Sequence, residues 1–275
     1  MIDRHRIVNG DSSILSGVLR TTLLYATIPV VFTIAGSALG ACWPRVAGWR
    51  IYVLHLAAGV VFSVVAVELL PEIVRRALVT DVVIGFAAGI ITMVAVDEVM
   101  DRIRARTTAQ SESRPHRSAL TGVSKGADAS EDVTGLAVAV GVDFVLDGLL
   151  LGVGFAAGAR IGILLALAEA VEQLAVGIAL AVELRVAGSS ALRALLISGA
   201  LALLVYVSAF AGGTVLSHLS GAPMEAILSF GLAALLYLVT EELLREAHEE
   251  GETRIGTAFF FAGFLAFLVV GMTLG

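Results

Sequence analysis

The sequence predicts an all-α polytopic membrane protein with eight transmembrane helices. Three observations carry that prediction. The chain of 275 residues is 58% hydrophobic and only 15% charged, with a mean hydropathy of +0.93, where water-soluble domains carry about 25% charged residues. The apolar residues fall into eight long runs, each matching the roughly 20 residues a helix needs to cross a bilayer core of about 30 Å. The runs are continuously apolar, whereas the strands of a lipid-facing barrel alternate. A chain this apolar cannot hide its surface in one globular core. That excludes a secreted disulfide scaffold and an ordinary cytosolic enzyme. The net charge of −6 leaves no basic surface for nucleic acid. Cys42 is the single cysteine, so no internal disulfide or thiolate cluster is available. The opening MIDRHRIVNGDSS lacks the basic-then-apolar form of a signal peptide.

The spans follow in order. Span 1 covers 16–42, and span 2 covers 51–71, ending in VELLPEIVRRA. Span 3 covers 80–100, contains GFAAG and closes on Asp97, Glu98 and Asp101. Residues 101–132, with RIRARTTAQSESRPHRS, are polar and read as a flexible loop inside a single membrane domain of residues 1–275. Span 4 covers 133–158 and span 5 covers 161–184, closing on Glu183 and Arg185. Spans 6, 7 and 8 cover 191–216, 222–243 and 254–274. Gly, Ala and Ser recur through the runs, and small residues let helices approach closely in lipid.

Lys and Arg set the orientation. Twelve of the 18 lie on the side of the long loop and six on the other. The bias places the loop in the cytoplasm and both termini outside, in a multi-pass protein of the cell (inner) membrane.

Four acids then stand where acids are costly. A carboxylate at mid-bilayer costs at least about 2.5–3.5 kcal/mol. Span 4 contains VDFVLDGLLLG, with Asp143 and Asp147 at i and i+4 on one helix face. Span 5 contains LAEAVEQLAVG, with Glu169 and Glu172 at i and i+3, also on one face. Asp147 and Glu172 each lie about 16 Å from the tight turn joining the two spans, near the midplane. Antiparallel neighbours would bring all four carboxylates to one level, and neither span supplies a Lys or Arg there. Protons or a metal ion must neutralise them, which points to a cation or proton path. Single protonated acids hydrogen-bonded between helices are the competing reading.

Further acids sit near span ends. Glu68 and Glu72 close span 2, while Glu241, Glu242, Glu246 and His248 close span 7. The segments ELLPE (68–72) and ELLRE (242–246) match and run in opposite directions, as in an inverted-topology repeat. Spans 1–3 and 6–8 would then form the repeat around the span 4–5 pair. Glu241, Glu249 and Glu250 read as solvated, and His55 as a packing residue.

The chain resembles the ZIP (Zrt/Irt-like) family of divalent metal transporters. The carriers of the likeness are the eight spans, the outward termini, the long loop after span 3 and the closing AFFFAGFLAFLVVGMTLG. The family's span-2 ending, histidine-Leu-Leu-Pro-Glu, reads here as Glu68, Leu69, Leu70, Pro71 and Glu72. Its span-4 motif, histidine-Asn-x-Pro-Glu-Gly, aligns with residues 143–148, and its acidic span-5 motif with residues 168–173. Asp143 stands for the histidine and Phe144 for the Asn. Both mid-helix prolines and a span-6 acid are missing. The resemblance implies Asp143, Asp147 and Glu172 as the main metal site, Glu169 as the remnant of a second, and a homodimer. Glu68 and Glu72 would line the entrance, and Glu242, Glu246 and His248 the exit.

The site is all oxygen, which suits Mn²⁺ or Fe²⁺, while the family points to Zn²⁺, Cd²⁺ and Fe²⁺. The expectation is alternating-access import of such ions, with no permanently bound cofactor. A cation–proton exchanger for Na⁺ or Ca²⁺ and a non-transporting metal-sensing homologue are the alternatives. An intramembrane aspartyl protease would need two Asp on different helices, and no phosphate loop for ATP is visible, so an enzyme is not expected.

Overall fold

The computed structural model describes residues 4–43, 48–76, 78–112, 125–216, 219, 221–245 and 254–273. Eight of its helical stretches are long and apolar enough to cross a membrane. These spans are Leu19–Cys42, Arg50–Arg75, Val79–Arg102, Thr134–Ala157, Ala159–Val186, Ala191–Val215, Ala222–Glu241 and Arg254–Thr273. Each falls within a few residues of its expected run. The helices of spans 3 and 4 continue into the segment read as a loop, to Glu112 and back to Lys125. Residues 113–124 lie outside the described ones.

The spans sort into two groups. Spans 1, 4, 5 and 6 pack on one another, chiefly 1 on 5, 4 on 6 and 1 on 6. In the second group span 2 pairs with span 8 and span 3 with span 7. The broadest contact between the groups is span 2 against span 5.

Small residues set how closely the first group packs. A Cβ on Gly36 would collide with the Leu174 carbonyl, and one on Gly177 with the Thr33 carbonyl. Spans 1 and 5 therefore touch backbone to backbone. A Cβ on Gly148 would strike the Ser208 hydroxyl and the Val205 carbonyl, so span 6 lies against span 4 just beyond Asp147.

Two spans change pitch. Span 2 widens to a π-helix over Val65–Leu69 before resuming as an α-helix at Leu70. Pro71 explains it: proline lacks an N–H, and its ring clashes with the carbonyl four residues back, at Val67. Span 7 widens over Leu238–Leu243. There the Thr240 hydroxyl donates to the Leu236 carbonyl at 2.9 Å, a side-chain bond that competes with the helix ladder. These π-helical segments carry Glu68 in span 2 and Glu241 and Glu242 in span 7.

Candidate metal centre

Spans 4 and 5 are unbroken α-helices joined at Gly158. With no proline inside them, their acids keep the register that sequence spacing gives. Asp147, Glu169 and Glu172 are buried at 2%, 3% and 2% exposure. Asp143, one turn from Asp147, is half-buried and forms part of a cavity wall.

The electrostatics centre on Glu169. Asp147, Glu172 and Asp143 all lie near enough to act on it. Both of its carboxylate oxygens are buried without a hydrogen-bond partner. Such a group costs several kcal/mol as an ion in an apolar interior, on the order of magnitude for unpaired buried polar atoms. Asp147 is held differently. The side-chain amide of Gln173 donates from Nε2 to its Oδ2 at 2.7 Å, and the Thr33 hydroxyl donates to Gln173 Oε1 at 2.8 Å.

The sequence expected four carboxylates meeting at one level. The structure buries three and leaves Asp143 on the cavity wall. Among the described residues, no three His, Cys, Asp or Glu side chains are arranged so that they could hold one ion. Gln173 takes up one oxygen of Asp147, a bond made within the span 1–4–5 group.

The cavity has a volume of about 410 Å³. Its walls come from the start of span 2, with Arg50 and Leu54, the end of span 3, the first half of span 4, the second half of span 5 and the end of span 7. Asp143 and Leu146 line it from span 4, Asp97 from span 3 and Tyr237 from span 7. Tyr237 donates its hydroxyl proton to Asp97 Oδ2 at 2.9 Å. The rim residues Glu183, Glu241 and Arg245 are exposed, so the cavity opens at the face where the 101–132 segment emerges.

The opposite half is closed. There the buried side chains of Leu69, Leu150, Val153, Leu165 and Leu228 leave a space of only about 10 Å³, at the lower limit for one water. Above this plug Arg160 donates to Glu68 Oε1 at 2.8 Å and to the Gly271 carbonyl at 2.9 Å. Glu68, expected on the entrance path, is therefore ion-paired in this conformation. Glu72 pairs with Arg75 on its own helix. The Glu242 side chain, Glu246 and His248 lie outside the described residues. His55 is buried, with Nδ1 donating to the Ile51 carbonyl at 2.8 Å, as a packing histidine should.

Sequence reasoning missed Gln173, Thr33 and Arg160. A signal for Gln173 existed: it is the sole Asn or Gln in the eight spans.

No protein-family model matches the chain. Over 130 residues it is 33% identical to the zinc transporter GufA of Myxococcus xanthus, an alignment covering 47% of this chain and 51% of that protein. The chain thus matches about half the length of that relative.

Proposed function

We propose that this chain is a transporter, not an enzyme, and that it moves divalent transition-metal ions of the Zn, Mn, Fe or Cd class by alternating access. The observation that carries this is Glu169. Its carboxylate is buried with both oxygens unpartnered, beside three further acids, one of which lines an open cavity. A buried group of acids with one member unsatisfied is stable when a cation, or protons in its absence, completes it. The similarity to a zinc transporter supports a metal ion as the cargo, and so does the resemblance to the ZIP family. The acids are not closed into a ligand set here, which suits a site that must release its ion. In this reading the arriving ion draws Asp143, Asp147, Glu169 and Glu172 together.

The lysine and arginine bias favours the cytoplasmic side for the cavity, which makes this conformation inward-open in our reading, and uptake is the direction that the ZIP resemblance implies. The span pairing supports the inverted repeat. Exchanging span 1 with 6, 2 with 7, 3 with 8 and 4 with 5 turns the 1–5 pair into 6–4 and the 2–8 pair into 7–3. The same exchange relates the two π-helical segments, Val65–Leu69 and Leu238–Leu243. Alternation is then movement of the span 1–4–5–6 group against the other four. The homodimer rests on the family resemblance and is read by light scattering of the purified protein.

The test is uptake into proteoliposomes of Zn²⁺, Mn²⁺, Fe²⁺ and Cd²⁺, with Na⁺ and Ca²⁺ as controls. The wild type should move at least one transition metal, and Glu172→Gln should abolish that uptake while keeping the wild-type melting profile. Uptake unchanged by Glu172→Gln rejects the site; transport of Na⁺ or Ca²⁺ alone selects the exchanger.

A further inference from the structure

We propose that Gln173 is a positioning residue of the carboxylate site, orienting Asp147 for the cation, and that Thr33 on span 1 fixes Gln173 in turn. This rests on the transport reading above and extends it to residues outside the acid set.

The argument starts from cost. A primary amide in the middle of a membrane helix persists when its donors and acceptor are used. Gln173 is fully buried, at 0% exposure, and both ends of its amide are engaged. The carbonyl oxygen accepts from Thr33, and the amino group donates to Asp147. A carboxylate only accepts hydrogen bonds, so the amino end is the one that suits Asp147.

The anchor is rigid. Thr33 is itself fully buried, and its hydroxyl also lies 2.9 Å from the Pro29 carbonyl. The contact between Gly177 and the Thr33 carbonyl holds spans 1 and 5 at backbone distance. The Ser37 hydroxyl donates to the Gly177 carbonyl at 3.2 Å, a second tie between the same helices. The chain Thr33–Gln173–Asp147 therefore links three spans of one helical group. It holds a candidate ligand in that group without tying it to the other four spans. Gln173 also follows Glu172 directly and sits four residues after Glu169, within one turn of the unpartnered carboxylate.

Packing alone does not require this arrangement. A buried amide could spend its donor on any carbonyl; this one spends it on an acid of the proposed site. Groups that hydrogen-bond a metal-ligating carboxylate orient it, and their loss typically costs about 10–100-fold in metal affinity.

The experiment uses the full-length protein, with Mn²⁺ and Zn²⁺ as probes. Binding is titrated in detergent and uptake is measured in proteoliposomes. Gln173→Leu should raise Kd and KM by about 10–100-fold and lower the maximal rate far less. Thr33→Val should shift both constants the same way by a smaller factor, and Thr33→Ser should restore wild-type values. In an Asp147→Ala background Gln173→Leu should cause no further loss of binding. Wild-type Kd and KM in Gln173→Leu, or a loss confined to melting temperature, overturns the assignment. If Gln173→Leu does not fold, equal constants for Thr33→Val and Thr33→Ser overturn it instead. A wild-type protein that neither binds nor moves either ion defeats the transport reading, and this inference with it.

Discussion

The two halves of the membrane section are built from the same helices and differ in what lies between them. On one side of the buried acids spans 2, 3, 4, 5 and 7 part around a cavity of about 410 Å³ with Arg50, Asp97, Asp143 and Tyr237 on its walls. On the other, side chains from spans 2, 4, 5 and 7 meet in an apolar plug with a void of about 10 Å³. Spans 2, 4, 5 and 7 belong to both halves. The difference is thus one of sequence position along each helix. Span 4 carries Asp143 toward the cavity and Leu150 and Val153 toward the plug. The carboxylates of Asp147, Glu169 and Glu172 stand at the change-over. A pore would need both halves wet at once, whereas a transporter needs one sealed while the other opens.

The sharpest test of that contrast is accessibility. In a Cys42→Ser background, since Cys42 is exposed, a cysteine at Ala179 should react with a membrane-impermeant thiol reagent from the cavity face. A cysteine at Val153, buried beside the plug, should react far more slowly from either face. Equal labelling of both positions breaks the comparison.

A smaller effect tests what holds the plug shut. Leu165 is 3% exposed and borders the void. Leu165→Ala should destabilise the closed half by about 2–5 kcal/mol, the usual range for a buried leucine truncation. Expected are a lower melting temperature and faster labelling at Val153→Cys in the double variant. A melting temperature equal to that of the wild type would show that the plug contributes little.

What the sequence revealed follows the same division. The spans were legible because hydropathy needs no tertiary structure. So was the burial of Asp147, Glu169 and Glu172, because an acid within an apolar run has nowhere else to go in lipid. The cavity and the plug were not legible. The plug is made of Leu, Val and Gly, and Ala, Leu and Val fill much of the cavity wall between its polar residues; an apolar residue gives no hint whether it faces a neighbour, a void or lipid. Span 2 was partly readable, since Pro71 announces a disturbed helix. Span 7 was less so, because Thr240 marks its change of pitch only once its hydroxyl is seen on the Leu236 carbonyl. Gln173 carried a signal that charge-based reasoning passed over, because a neutral amide does not register as a misplaced charge. Arg160 entered only as one unit in the orientation count. Its partner, Glu68, is 92 residues away in the chain, and no spacing rule joins them.

That ion pair gives the smallest expected effect and the most direct statement about alternation. Arg160 belongs to span 5, in one helical group, while Glu68 and Gly271 belong to spans 2 and 8 in the other. The contact therefore bridges the two groups on the closed side. Arg160 is 46% exposed and Glu68 12%, so water screens the pair and its contribution is that of a surface ion pair, about 0.2–1 kcal/mol. Such an energy cannot hold the fold together, but it is enough to bias an equilibrium between two packings of the same helices. Arg160→Met should leave the melting temperature near that of the wild type. It should raise the labelling rate at Val153→Cys by at most about fivefold, the population shift that 1 kcal/mol allows. Glu68→Gln should do the same, and the two changes together should add little, because either one already removes the charge pair. Slower labelling in either variant, or full additivity, would show that Arg160 and Glu68 act apart and that the apolar plug alone keeps this half shut.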